Sequence, residues 1–145
     1  MRGRGYSHYA LEVAILSPED IRQRIHQGDH VLVAEIESTI SGTATGIEEH
    51  ETLHVCSVAV DPAFWGQGIG LQLMRALEDI AKRQKCRKLW LQTAWSMTEA
   101  IDLYERVGFV QEGYQPCQFY GEDFLLFGKI LHRDGQSSKR NINPS

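Results

Sequence analysis

The chain has 145 residues, 42% hydrophobic and 23% charged, which suits one soluble globular domain with a sizeable core. A net charge of −4 argues against nucleic acid as the main partner and is compatible with a cationic substrate. No apolar run is long enough to span a bilayer, and the basic start from Met1 to Gly5 lacks the apolar stretch of a signal peptide.

Residues 1–8 are glycine, arginine and polar, and a first strand is expected from Tyr9 to Leu16. Ser17-Pro18-Glu19-Asp20 predicts a helix start, with Ser17 as N-cap and Pro18 at the first helical position. Ile21 and Ile25 share a face of that helix, and Gly28 suits its end. The β-branched runs His30 to Ile36 and Ile40 to Ile47, separated by Glu37-Ser38-Thr39, read as a hairpin. Glu48 to Glu51 is an acidic turn before a strand from Leu53 to Val60. A helix follows from about Gly68 to Lys85, with Ile69, Leu73, Leu77, Ile80 and Ala81 at helical spacing. Lys88 to Thr93 is a short strand. Ser96-Met97-Thr98-Glu99 matches a capping box opening a helix through Val107, closed by Gly108. Phe109 to Tyr114 and Asp123 to Leu131 are the last strands, joined by a polar connection. From His132 to Ser145 the composition is polar and aperiodic, which predicts a disordered tail after one domain over 1–131. The resulting β-α-β-β-β-α-β-α-β-β order is that of an α+β protein, a mixed sheet flanked by helices.

The stretch from Ser57 to Gly70 organises the rest. Asp61-Pro62 stops the strand, and Gly66, Gly68 and Gly70 lead straight into a helix whose N-terminus carries a positive dipole end. Such a turn is either an anion cradle of backbone N–H groups or simply a tight glycine-rich turn. Two common phosphate motifs do not fit. A dinucleotide fingerprint needs glycine where Leu71 stands, and no Gly-Lys-Ser/Thr ending makes a P-loop. The three cysteines, Cys56, Cys86 and Cys117, are widely spaced without a metal-type pair. They predict reduced thiols in the cytoplasm, no disulfide framework and no metal site.

Two motifs together resemble the GNAT superfamily of acetyl-CoA-dependent N-acetyltransferases. The family pattern Gln/Arg-x-x-Gly-x-Gly/Ala lies over Trp65-Gly66-Gln67-Gly68-Ile69-Gly70, after Val60-Asp61-Pro62. A second pattern, Asn-x-x-Ala-x-x-Leu-Tyr-(x)-x-x-Gly-Phe, lies over Met97 to Phe109, with Ala100, Leu103, Tyr104, Gly108 and Phe109 in place. The match runs from about His30 to Leu131. It implies an acyl-CoA N-acyltransferase fold with a shortened N-terminal region. Acetyl-CoA would be held by Val58, Ala59, Val60, Trp65, Gly66, Gln67, Gly68, Ile69, Gly70, Leu71, Met97 and Tyr104. Three departures stand out. Trp65 replaces the usual arginine or glutamine, and Met97 the usual asparagine. Ahead of His30 there is room for about one helix, where the family has a strand and two helices.

Acetyl transfer needs a neutral amine, a polarised thioester carbonyl and a proton for the departing thiolate. A lysine-like amine of pKa about 10.4 is neutral roughly once in 2,500 molecules at pH 7, an α-amine near 8 roughly once in ten, so only the former needs a strong base. The resemblance implies that Tyr104 is the general acid, against the plain reading of a core tyrosine, and that the Val60 backbone N–H is the oxyanion donor. His54, six residues before Val60, is either the base or a satisfied strand histidine. Strict alternation would put His54, Cys56, Val58 and Val60 on one face. Cys56 reads as a small hydrophobe rather than a nucleophile. The expected partner is an amine-bearing small molecule or peptide, with no nucleic acid and no membrane. A sheet edge left unpaired by the short N-terminus would favour a homodimer. The alternative function is a catalytically impaired CoA-binding module.

Overall fold

The computed structural model describes Gln23 and residues 28–133. The strand expected at Tyr9 to Leu16, the helix expected from Ser17 apart from Gln23, which is helical, and most of the expected tail lie outside the described residues. The tail's first residue is tied down, since the Leu131 and His132 amides both donate to the Arg87 carbonyl, at 2.8 and 3.2 Å.

The described elements are β1 (His30–Ile36), β2 (Thr39–Glu49), β3 (Thr52–Val60), a 3-10 turn (Pro62–Phe64), α1 (Ile69–Arg83), β4 (Lys88–Ala94), α2 (Thr98–Arg106), β5 (Val110–Phe119) and β6 (Glu122–Ile130). The described strands form one mixed sheet in the order β1-β2-β3-β4-β6-β5, and among them only β3 and β4 run parallel. Its outer described strands are β1 and β5.

Three hairpins are closed by two-residue turns with both φ values positive: Glu37-Ser38 (49 and 69°), His50-Glu51 (53 and 66°) and Tyr120-Gly121 (55 and 75°). Such turns match the twist of the strands they join. They are tighter than the sequence predicts, because strand pairing continues through Thr39, Thr52 and Glu122 and forces non-glycine residues into the left-handed region. The polar connection expected after Tyr114 is therefore mostly strand.

The α1 helix buries Ile69, Leu73, Met74, Leu77 and Ala81. Met74 joins the expected stripe, and Ile80 lies at its margin, partly buried. Gly42 of β2 allows the close approach of α1: a Cβ there would sit 3.2 Å from both Ile69 Cγ2 and Leu73 Cδ1. The core closes around Leu53, Leu89, Leu91 and Phe127.

The capping box does not form. Met97 is the N-cap of α2, with no side-chain cap hydrogen bond. The Ser96 hydroxyl instead donates to Glu122 Oε1 at 2.9 Å, drawn off by the neighbouring hairpin.

Candidate active site

The glycine loop is held at both ends. The Asp61 amide donates to the Ser41 carbonyl (2.8 Å), and Asp61 Oδ1 accepts from the Ala63 amide (2.9 Å). Trp65 closes the loop over the strand end, its Nε1 donating to the Val60 carbonyl at 2.8 Å. Gly66 and Gly68 have φ of 85 and 77°, and Gly68 is a left-handed N-cap. The first bond of α1 runs from the Gln72 amide to the Gly68 carbonyl, so the Ile69, Gly70 and Leu71 amides have no intrahelical acceptor. No acidic side chain occupies the first turn. Chemically, this is a cluster of N–H donors at a positive helix end.

Those amides face a cleft of about 380 Å³ between the loop and α2. One wall is Val58, Val60, Trp65, Gly66, Gly68, Ile69, Gly70 and Leu71; the other is formed by α2, including Tyr104. Of the residues expected to hold a cofactor, Gln67 and the buried Ala59 do not border this cleft, and Met97 borders the cavity described next. Phe64, Glu99, Ala100, Leu103 and Arg106 border the cleft without having been expected there. Helical spacing joins Ala100 to Tyr104 and Glu99 to Leu103, but only docking shows which faces of α2 are presented.

Parallel pairing between β3 and β4 covers Thr52↔Lys88, Leu53↔Leu89 and His54↔Trp90, and then stops. Immediately afterwards β3 bulges. Thr45 pairs with Ser57 and Gly46 with Val55, leaving Cys56 as the extra residue. Beyond it β3 follows β2 while β4 follows β6, and a cavity of about 40 Å³ opens between them, bordered by Cys56, Ser57, Val58, Gln92, Thr93, Met97 and Tyr104. Val58 and Tyr104 border both this cavity and the longer cleft. Tyr104 is 8% exposed, its ring 6.1 and 6.4 Å from those of Phe109 and Phe127. The Met97 sulfur accepts from the Thr93 hydroxyl at 3.5 Å.

The bulge overturns the one-face expectation for β3. His54 pairs with Ile47 and Val58 with Ala44, positions of opposite parity on β2. Val58 and Val60 therefore share the α1 face with Ala44 and Gly42, and His54 points the other way. Its imidazole stacks on Trp90, with ring centroids 3.8 Å apart and planes 5° apart. His54 Nδ1 lies 3.7 Å from Cys56 Sγ. Burial pushes the imidazole below its ordinary value, against a weaker opposing pull from the Glu49 carboxylate. His54 borders neither cavity, whereas its neighbour Cys56 borders the smaller one. Burial also pushes up the Cys86 thiol, with further contributions from Glu48 and Glu51.

The model of the "Acetyltransferase (GNAT) family" matches residues 2–109. The chain is 34% identical over 74 residues to the ribosomal protein bS18-alanine N-acetyltransferase of Escherichia coli strain K12, covering 48% of this chain and 50% of that one. It is 36% identical over 104 residues to "Probable glucosamine 6-phosphate N-acetyltransferase 2" of Oryza sativa subsp. japonica, covering 63% and 61% respectively. The chain thus spans about half the length of the first curated relatives it matches. A Bacillus subtilis acetyltransferase solved in complex with CoA shares the fold with a TM-score of 0.70 at 17% identity, covering 80% of this chain and 85% of that one. With a family match that takes in both the glycine loop and α2, the chain belongs to the acetyltransferase (GNAT) family.

Proposed function

We propose that the protein is an N-acetyltransferase that moves the acetyl group of acetyl-CoA to a primary amine of a small molecule or peptide by direct attack. One observation carries the reading: the phosphate-binding type of cleft and the cavity at the parting of β3 and β4 meet at Tyr104 and Val58. Family membership and the acetyltransferase activities of the sequence relatives support it.

In this reading the amides of Gly66 to Leu71 hold the pyrophosphate, and the edge of β3 that has parted from β4, along Val58 to Val60, lines the pantetheine arm. The amine nitrogen bonds to the acetyl carbon as the carbon–sulfur bond breaks. Tyr104 gives its hydroxyl proton to the departing thiolate, and a backbone amide of the β3 end polarises the carbonyl. His54, whose charged form is disfavoured by partial burial, takes the amine proton through water, since it does not itself border the cavities. No step requires a metal ion.

A second reading, a CoA-binding module without turnover, draws on Trp65 and Met97. The Trp65 indole N–H is bound to Val60, and Met97 stands where the family pattern has asparagine, its sulfur accepting from the Thr93 hydroxyl. Incubation with acetyl-CoA and a panel of amines, following free thiol, separates the two. The enzyme releases thiol only when an amine is present, and Tyr104→Phe slows that release about 100-fold with CoA affinity nearly unchanged. CoA binding without amine-dependent thiol would establish the module instead, and wild-type rates in Tyr104→Phe would remove the acid assignment.

A further inference from the structure

The long cleft has one cation on its described lining, Arg106, at the C-terminal end of α2. Arg106 also borders an open depression of about 490 Å³ between α1 and the end of α2, where it is joined by Arg75, Glu78, Asp79 and Lys129. Cleft and depression thus share Arg106 as a common lining residue.

The charges there are not all spent on one another. Lys129 Nζ lies 2.8 Å from Glu78 Oε1 and donates to the Val107 carbonyl at 2.7 Å, and Lys82 lies 3.2 Å from Glu78 Oε2. That network accounts for Glu78 and Lys129. Among the described residues neither Arg75 nor Arg106 forms an ion pair, even though Asp79 and Asp102 stand one helical turn away from them. Two guanidinium groups on different helices thus share a rim with a single uncommitted carboxylate, Asp79. Amides of the glycine loop supply dipoles but no net charge, Trp65 supplies none either, and the chain as a whole is anionic. A ligand with several phosphates needs cations from elsewhere, and arginine presents its donors in the planar fork that suits a phosphomonoester.

We propose that Arg106, assisted by Arg75, recognises the 3′-phosphate of the CoA adenosine, at the end of the cofactor away from the thioester. This rests on the reading of the cleft as an acyl-CoA site. The loop amides take the pyrophosphate, the parting of β3 and β4 takes the thioester end, and the arginine-bearing rim is left for the one remaining phosphate.

Titration calorimetry with CoA and with dephospho-CoA, which lacks only that phosphate, tests the assignment on the full chain. Wild-type protein is expected to bind CoA roughly tenfold or more tightly than dephospho-CoA. Arg106→Gln is expected to remove most of that preference by weakening CoA binding while leaving dephospho-CoA binding unchanged. Arg75→Gln should give the same pattern to a smaller extent, and thermal unfolding should confirm that both variants stay folded. Equal weakening of both ligands by Arg106→Gln, or a preference that survives it, would overturn the proposal and leave the acyl-CoA reading standing. Failure of the wild type to bind either ligand would overturn both.

Discussion

His54 shows how one side chain's environment sets its chemistry. Packed face to face with Trp90 and partly buried, the imidazole is disfavoured as a cation, and Glu49 only partly offsets that. The unfolded chain then binds a proton more readily than the folded one, so stability rises with pH through the window just below the ordinary histidine value. The contribution is fully present above about 6.5 and is lost as pH falls through the lowered folded value. Replacing His54 with glutamine should therefore flatten the acid-side loss of stability, read as unfolding midpoints at about pH 5 and about pH 7.5. If His54 is also the base, the variant loses an ionisation on the acid limb of the pH–rate profile; an unchanged profile would remove it from the mechanism. The sequence marks this histidine as interesting by its distance from Val60. It does not reveal the orientation, because alternation holds only while the strand is regular and Cys56 interrupts it.

At the level of elements, three glycines of the loop serve two different needs. Gly66 and Gly68 are required by positive φ, and a Cβ on either would meet nothing within 4 Å. Gly70 answers to space: a Cβ there would stand 3.1 Å from Leu103 Cδ2 of α2, which would have to give way. Gly68→Val should strain the left-handed N-cap by about 1–2 kcal/mol and weaken CoA binding more than tenfold. Trp65→Ala, which loses the indole bond to Val60 but none of the loop's backbone donors, should weaken binding far less. Equal losses in a CoA titration would mean that the loop amides do not hold the phosphates. Glycine spacing and the helix that follows are legible in the sequence, since both are local. The α2 cap is not: Ser96-x-x-Glu99 has the right letters, but Glu122, far along the chain, takes the serine hydroxyl.

Across the whole molecule, Lys129 of β6 ties α1 to the end of α2 through Glu78 and the Val107 carbonyl. Burial disfavours the Glu78 charge, yet the hydrogen bonds and charges of Lys129 and Lys82 outweigh it and hold the carboxyl below its ordinary value. Stability from this pairing is present above the ordinary carboxylate range and is lost as pH falls through the lowered value. Lys129→Met should cost about 1–3 kcal/mol in chemical denaturation at neutral pH, because it leaves a partly buried carboxylate with Lys82 alone, and less once Glu78 is protonated. A loss that did not shrink on acidification would mean that packing of the lysine stem, not its charge, is what matters. By itself the sequence determined the α+β character, the glycine-rich turn and the long amphipathic helix that follows it. These depend on periodicity and backbone preference within a few turns of chain. Tertiary structure alone decided where β3 leaves β4, that Tyr104 stands where two cavities meet, and that Arg75 and Arg106 share one rim. Each of those depends on strand register and helix docking, which bring together residues that no local rule connects.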